Sequence, residues 1–443
     1  MFSALLTTLK SRAAVLLRYE WLFLLFLAPF LVFPTVRPTM TLVTLLLLVF
    51  LWLIRLWAQG EAWPVTPVNL PLLLLAVGVF VGALVSPFPD LTLPKLTNLI
   101  LGFAAFRVTV WNVKDTRAAR NAIFLVVLLG ASLVTVGTLS AFWGMKVPAL
   151  RPWLAHLPRA LVKLPELSEQ RGVNPNQLGG ILSFYIPFTS TLAATKLAES
   201  RRLRLTWGRS AILAGLVILL LEAIIVLILT QSRSGWFGTF VGLLFLAIML
   251  ILQQRPNNVV LSIFLLSIGL AVFITIRHVI YLNITDRWVL YTNFGRINIG
   301  DRLEIWSKAI YAIQDFGVTG AGLGTYRRIV SRFYPYIRIP PWVVVYHAHN
   351  VFLQVWYDTG SVGIVAYLAL LTLILKIGVH LRKYENLARA IALATISGFV
   401  GFHVYGISDT LALGSKPTIL FWLALALLVA VYVNCKPLKH EGT

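Results

Sequence analysis

Apolar runs of membrane-spanning length recur along the whole chain, each closed by polar punctuation. A bilayer core about 30 Å thick needs about 20 predominantly apolar residues per helix. Runs of that order lie near 19–36, 39–57, 68–85, 95–112, 118–141, 177–197, 209–230, 234–253, 257–279, 351–376, 387–408 and 417–434. The pattern predicts an all-α polytopic membrane protein of about twelve transmembrane helices. Arg107 interrupts the fourth run, and a break is expected in the tenth near Gly360.

Lys and Arg in short loops orient such a bundle. One set of loops holds Lys10, Arg12 and Arg18; Lys114, Arg117 and Arg120; Lys196, Arg201, Arg202, Arg204 and Arg209; and Lys376, Arg382, Lys383 and Arg389. The opposite short loops hold only Arg37, Lys95, Arg233 and Lys416. The bias places both termini in the cytoplasm and puts two longer segments, about 142–176 and about 280–350, on the outer face. A structureless stretch as long as the second would be unusual. Within it Leu303, Trp306, Ile310 and Ile313 follow helical spacing. An amphipathic helix is expected over Asp301–Gln314, with Asp301 near its N-cap, ended by the glycines of 317–324. No strand precedes Gly320-Ala-Gly322-Leu-Gly324, so a helix-ending turn is a better reading than a nucleotide loop.

Composition fits this picture: 58% of residues are hydrophobic and 12% charged, with mean hydropathy +0.84. Such values lie far outside soluble globular chains. A formal charge of +22 would suggest nucleic acid in a soluble protein. With the cations in loops and at helix ends, lipid phosphate is the expected counterpart, and no nucleic-acid partner is expected. The single cysteine, Cys435, excludes an intrachain disulfide. The basic start and the apolar run Leu22 to Val36 look superficially like a signal peptide but lack a small-residue cleavage site, so the run is read as the first span.

Candidate chemistry falls on the outer side. Thr230-Gln-Ser-Arg-Ser-Gly235 is the whole turn between two apolar helices, so Arg233 lies at the outer interface, either snorkelling to headgroups or forming an anion site. Arg302 starts the amphipathic helix, where a guanidinium and a helix N-terminus favour phosphate; a solvated loop arginine is the alternative. Arg171 precedes Gly172-Val-Asn174-Pro175-Asn176, a capped helix start with Asn174 as N-cap and Pro175 first in the helix. His349, in Tyr346-His-Ala-His-Asn350, is the strong proton-transfer candidate, because histidine titrates near neutrality. A structural histidine is the alternative. His347 and His349 could hold a metal, but no nearby Cys or acid completes a site. The outer side has no Asp-x-Asp pair to hold Mg²⁺ or Mn²⁺. Arginines would therefore have to stabilise any pyrophosphate.

At these residues the chain resembles the O-antigen ligase and polymerase superfamily of bacterial envelope glycosyltransferases. The likeness covers roughly Gln170 to Tyr405. It rests on Arg171-Gly-Val-Asn-Pro-Asn176, Ser232-Arg-Ser-Gly-Trp236, Gly300-Asp-Arg-Leu-Glu-Ile-Trp306, Gly320-Ala-Gly-Leu-Gly324, His349-Asn350 and Asp358-Thr-Gly-Ser-Val-Gly363. It divides the chain into N-terminal helices at 1–165 and a ligase-like region at 166–443. The resemblance implies a GT-C-like fold in the inner membrane and a periplasmic site. The implied reaction moves a glycan from undecaprenyl pyrophosphate to a hydroxyl of lipid A-core or a similar acceptor, with inversion and without metal or cofactor. It assigns Arg233 and Arg302, assisted by Arg171, to the donor pyrophosphate and His349 to the base, with Asn350 and Asn176 in support.

Two other readings remain. A polysaccharide polymerase or protein O-oligosaccharyltransferase would share the donor chemistry. A bicarbonate-like small-anion transporter would place ionisable groups at mid-membrane. The interior candidates for that role are Arg107, Glu222 and His403, with Arg107 and Glu222 a possible pair.

Overall fold

A computed structural model describes residues 2–141, 173–202, 207–252, 299–384 and 387–434, with isolated positions at 143, 152 and between 262 and 270. The described residues form fourteen α-helices and no strand. In chain order these are α1 (Phe2–Arg18), α2 (Glu20–Val32), α3 (Pro38–Gln59), α4 (Asn69–Val85), α5 (Pro89–Asn112), α6 (Thr116–Ser140), α7 (Pro175–Arg202), α8 (Trp207–Thr230), α9 (Arg233–Ile251), α10 (Ile299–Phe316), α11 (Tyr326–Phe333), α12 (Val351–Leu381), α13 (Leu387–Ser408) and α14 (Ile419–Asn434).

Nine spans among the described residues are long and apolar enough to cross a membrane. The bent pair α1–α2, at 56°, would add a tenth, and α4 is a shorter apolar helix. These eleven correspond to runs expected from the sequence. The remaining run, 257–279, lies largely outside the described residues, as do most of 142–172 and all of 280–298.

At the centre, α9, α13 and α7 pack against one another, while α12 runs along α4 and α14 along α5. Every residue of 424–431 on α14 is buried, as expected of a helix that is apolar on all sides. On α8, Ile218, Leu221 and Ile225 are exposed, the pattern of a helix facing hydrocarbon. Small residues set the closest approach. A Cβ on Gly235 would lie 2.9 Å from the Gly179 Cα, so the start of α9 can sit against α7 only without a side chain there.

The turn after α10 and the first half of α12 interlock. Gly360 has φ +70, which breaks α12 where the sequence placed a break. Ala321 donates to the Tyr357 carbonyl at 2.8 Å, and Ser361 Oγ donates to that of Gly317 at 2.7 Å. A Cβ on Gly360 would meet the Val318 carbonyl at 2.3 Å. The 317–324 glycines thus end α10, as expected, and also lock it to the kinked span.

Two readings require correction. The buried stripe of α10 runs through Ile305, Ala309, Ala312 and Ile313, whereas Leu303 and Ile310 are exposed. Ala309 and Ala312 let α10 lie close against its neighbours, and Tyr326, Val330 and Tyr357 complete that core. Helical spacing alone cannot choose between two such faces. Arg107 does not pair with Glu222. It pairs with Glu20, which also binds Arg55 at 2.7 Å, while Glu222 accepts from Thr135 Oγ1 at 3.1 Å. Trp52 and Trp111 cover the two guanidiniums, as suits buried cations. His403 is likewise held, by the Tyr367 hydroxyl at 2.9 Å and the Phe399 carbonyl at 2.7 Å.

Candidate functional site

The two outer-loop histidines stand on a tight bend at the start of α12. Asn350 caps that helix, its Oδ1 accepting from the amides of Phe352 and Leu353 at 3.0 Å each. Its Nδ2 donates to the Ile407 carbonyl at 3.0 Å, tying the bend to the end of α13. His349 adopts φ +47, a left-handed conformation unusual for a residue with a side chain. Such backbone costs about 1–3 kcal/mol and persists only where the surroundings impose it. Here they do. The Ala348 amide donates to Gln354 Oε1 at 2.7 Å, Gln354 Nε2 donates to Asp358 at 2.9 Å, and the Trp306 indole donates to the His349 carbonyl at 3.2 Å.

This strain turns the His349 ring toward Asp409, which follows α13. His349 Nδ1 lies 3.1 Å from Asp409 Oδ1, and the same oxygen accepts from the Thr410 amide at 2.9 Å. Burial by itself raises a carboxyl, but the charge and hydrogen bond of His349, with His347 and Arg302, overcome it and hold Asp409 below the usual carboxylate range. An ionised Asp409 assigns the Nδ1 proton to His349 and leaves Nε2 as the proton acceptor. Burial, and then the adjacent His349, push His347 down to about 3, so that ring is neutral near pH 7.

Arg302 joins this pair to the turn that opens α9. Its Nη2 lies 3.9 Å from Asp409 Oδ2, and its Nη1 donates to Ser234 Oγ at 3.1 Å. Ser408 Oγ also donates to Ser234, at 2.9 Å. Ser234 follows Arg233, the exposed first residue of α9. Ser232 caps that helix by accepting from the Gly235 amide at 3.2 Å. The structure therefore brings together Arg302, the Arg233 turn, the positive end of the α9 dipole and the His349–Asp409 pair. Arg171 lies outside the described residues. Asn176 is in the first turn of α7, where its amide donates to the Asn174 side chain at 2.8 Å, as expected of that N-cap.

Residues 214–368 match the family described as O-antigen ligase. Over this segment, about a third of its length, the chain is similar to the O-antigen ligase family. The turn at Arg233, Arg302 and the histidine bend all fall within the matched segment. No curated protein matches the sequence.

Asp409 lies beyond that segment and was missed in the sequence. The signal available was a lone carboxylate immediately after an apolar span, at the end facing the histidines. It corrects the view that no acid completes a histidine cluster: His347, His349 and Asp409 offer ligand atoms within 4.8 Å of one another. The cation field argues against a metal there. Arg302 already faces the carboxylate, and Lys95 and Arg302 both act on His347 with the sign that opposes a further positive charge. Lys95 is the other residue whose place the sequence concealed. It sits on the first turns of α5, its stem against Gly324 and its charge acting on Asp358 and His347.

Proposed function

We propose that this protein is a metal-independent, inverting glycosyltransferase, taking a glycan from undecaprenyl pyrophosphate and joining it to an acceptor hydroxyl. The observation that carries this reading is the His349–Asp409 pair with the Arg302 guanidinium beside it. His349 Nε2 takes the acceptor proton as the oxygen attacks the anomeric carbon. The bond to pyrophosphate breaks, its electron pair leaves with the phosphate, and one displacement inverts the configuration. Asp409 holds the His349 tautomer and stabilises the imidazolium that forms. Arg302 and Arg233, with the α9 N-terminus, take up the charge growing on the leaving group as a metal ion would elsewhere. Asn350 fixes the bend, Asn176 supports the start of α7, and Arg171 assists at the donor.

Loop charges support a periplasmic site in a bacterial inner-membrane protein with cytoplasmic termini. The GT-C-like architecture rests on the family resemblance. Lipid A-core, a growing polysaccharide and a protein hydroxyl would all serve the same donor half-reaction. The transporter reading has lost its proposed pair, since Arg107 and Glu222 each have other partners.

The test is a single-turnover assay with lipid-linked donor beside a donor-binding measurement. His349→Ala should leave donor binding nearly intact while turnover falls about 10²–10⁴-fold. Arg302→Ala and Arg233→Ala should weaken binding and rate together, with Lys giving partial rescue because the bidentate fork is lost. Wild-type turnover in His349→Ala would remove that residue as the base.

A further inference from the structure

Between Asp315 and Asp358 the chain has no acidic residue, yet it carries Arg327, Arg328, Arg332 and Arg338. Up to residue 350 this segment lies outside the spans and should hide its large apolar side chains if it met only water. It does not: Phe333 is 65% exposed, Ile337 90% and Trp342 70%. These side chains sit on tethered backbone. The Glu304 carboxylate of α10 accepts from the amides of Ile337 and Arg338, the latter at 3.0 Å, and Tyr334 Oη donates to Asp315. Ile337 is therefore projected outward by a loop tied down at its base.

The level of the segment relative to the bilayer follows from one contact. Arg328 lies over the Phe88 ring and pairs with Asp90 at 2.8 Å, and these residues open the membrane span α5. Phe333, Ile337 and Trp342 thus belong to an element docked at the mouth of a span. Arg332 and Arg338 are also exposed and have no side-chain partner among the described residues. Exposed aromatic and aliphatic side chains bordered by arginines, with no acid among them, match the chemistry of an interfacial membrane anchor.

We propose that residues 326–344 anchor the site region in the adjacent leaflet. Phe333, Ile337 and Trp342 enter the acyl boundary, while Arg332 and Arg338 hold the phosphates of anionic lipids. This assignment stands apart from the transfer reaction. It gives the segment beside the histidines a fixed height on the bilayer.

The test uses the full chain in a Cys435→Ser background, reconstituted in lipid nanodiscs with or without an anionic phospholipid. A nitroxide is attached at Ile337→Cys, at Trp342→Cys, or at Gln314→Cys, an exposed polar position on α10. Power saturation then compares access by oxygen with access by a nickel chelate. The labels at 337 and 342 should favour oxygen and read a depth of about 5–10 Å below the headgroups. The label at 314 should favour the nickel chelate. Combining Arg332→Glu with Arg338→Glu should bring the 337 label out to nickel-accessible values in anionic discs. The proposal is overturned if the 337 and 342 labels behave like the 314 label. It is equally overturned if both are shielded from both reagents, which would mean a protein covers the patch. A depth indifferent to lipid charge and to the arginine changes would reject the role of anionic headgroups.

Discussion

Replacing Asp409 by Asn keeps the shape of the side chain and removes its charge, which acts on two neighbours in opposite ways. His349 Nδ1, 3.1 Å away, loses the anion that fixes its tautomer and steadies its protonated form. An Asn can turn its amide nitrogen toward the ring and stabilise the tautomer in which Nε2 carries the proton and cannot act as a base. Turnover should fall about 10²–10⁴-fold, equivalent to about 3–5 kcal/mol of barrier. Arg302, 3.9 Å from the same carboxylate, loses a charge that partly neutralises it. Two unit charges at that distance attract by about 4 kcal/mol at an effective dielectric of 20, less where water and salt reach the guanidinium. Freed from that attraction, Arg302 should bind a pyrophosphate as well as before or more tightly. The expected signature is a large loss of single-turnover rate with a donor Kd that is unchanged or lower. Equal losses in rate and donor binding would show that Asp409 serves the folded site as a whole and not the base, and would refute the argument.

Transfer should survive exhaustive chelation; loss with EDTA and recovery with Mg²⁺, Mn²⁺ or Zn²⁺ would instead make His347, His349 and Asp409 a ligand set. His347→Gln should change turnover far less than His349→Ala and should make the protein more acid-tolerant. Because His347 is held down to about 3, the unfolded chain binds a proton on this ring from near pH 6.5 downward while the folded chain does not. Stability is therefore lost as pH falls through that window, and thermal unfolding in detergent should show a shallower loss in the Gln variant. Asp409 adds to the decline further down. Its depressed pKa contributes stability that is complete above about pH 4 and drains as pH falls below that value, so Asp409→Asn should flatten the acid limb of the same curve. Reporters fused after Arg328 should be accessible from outside the cell and those after Lys383 shielded; a cytoplasmic signal from residue 328 would reverse the proposed orientation.

What was legible in the sequence follows from local rules. Span length and composition are set by the bilayer thickness, so nearly every span could be bounded from apolar runs alone. The helix cap at Asn174, the glycine turn after α10 and the break at Gly360 are also local, because backbone sterics and unsatisfied amides demand particular residues there. Arg233 stood out as a cation in a short turn between two spans, Arg302 as a guanidinium at a helix start, and His349 as a group that titrates near neutrality. The partner itself was not legible. Asp409 meets His349 across 60 positions of chain, and Glu20 meets Arg107 across 87, joined only when separate helices pack. The left-handed backbone of His349 is imposed by Gln354, Asp358 and Trp306 from outside its own bend. The choice of the alanine-rich face of α10 as the buried one was decided by what lies against it. Local sequence fixes which helices form and where they end. Only packing decides which charges are brought within reach of one another, and the candidate chemistry of this protein lies in that second step.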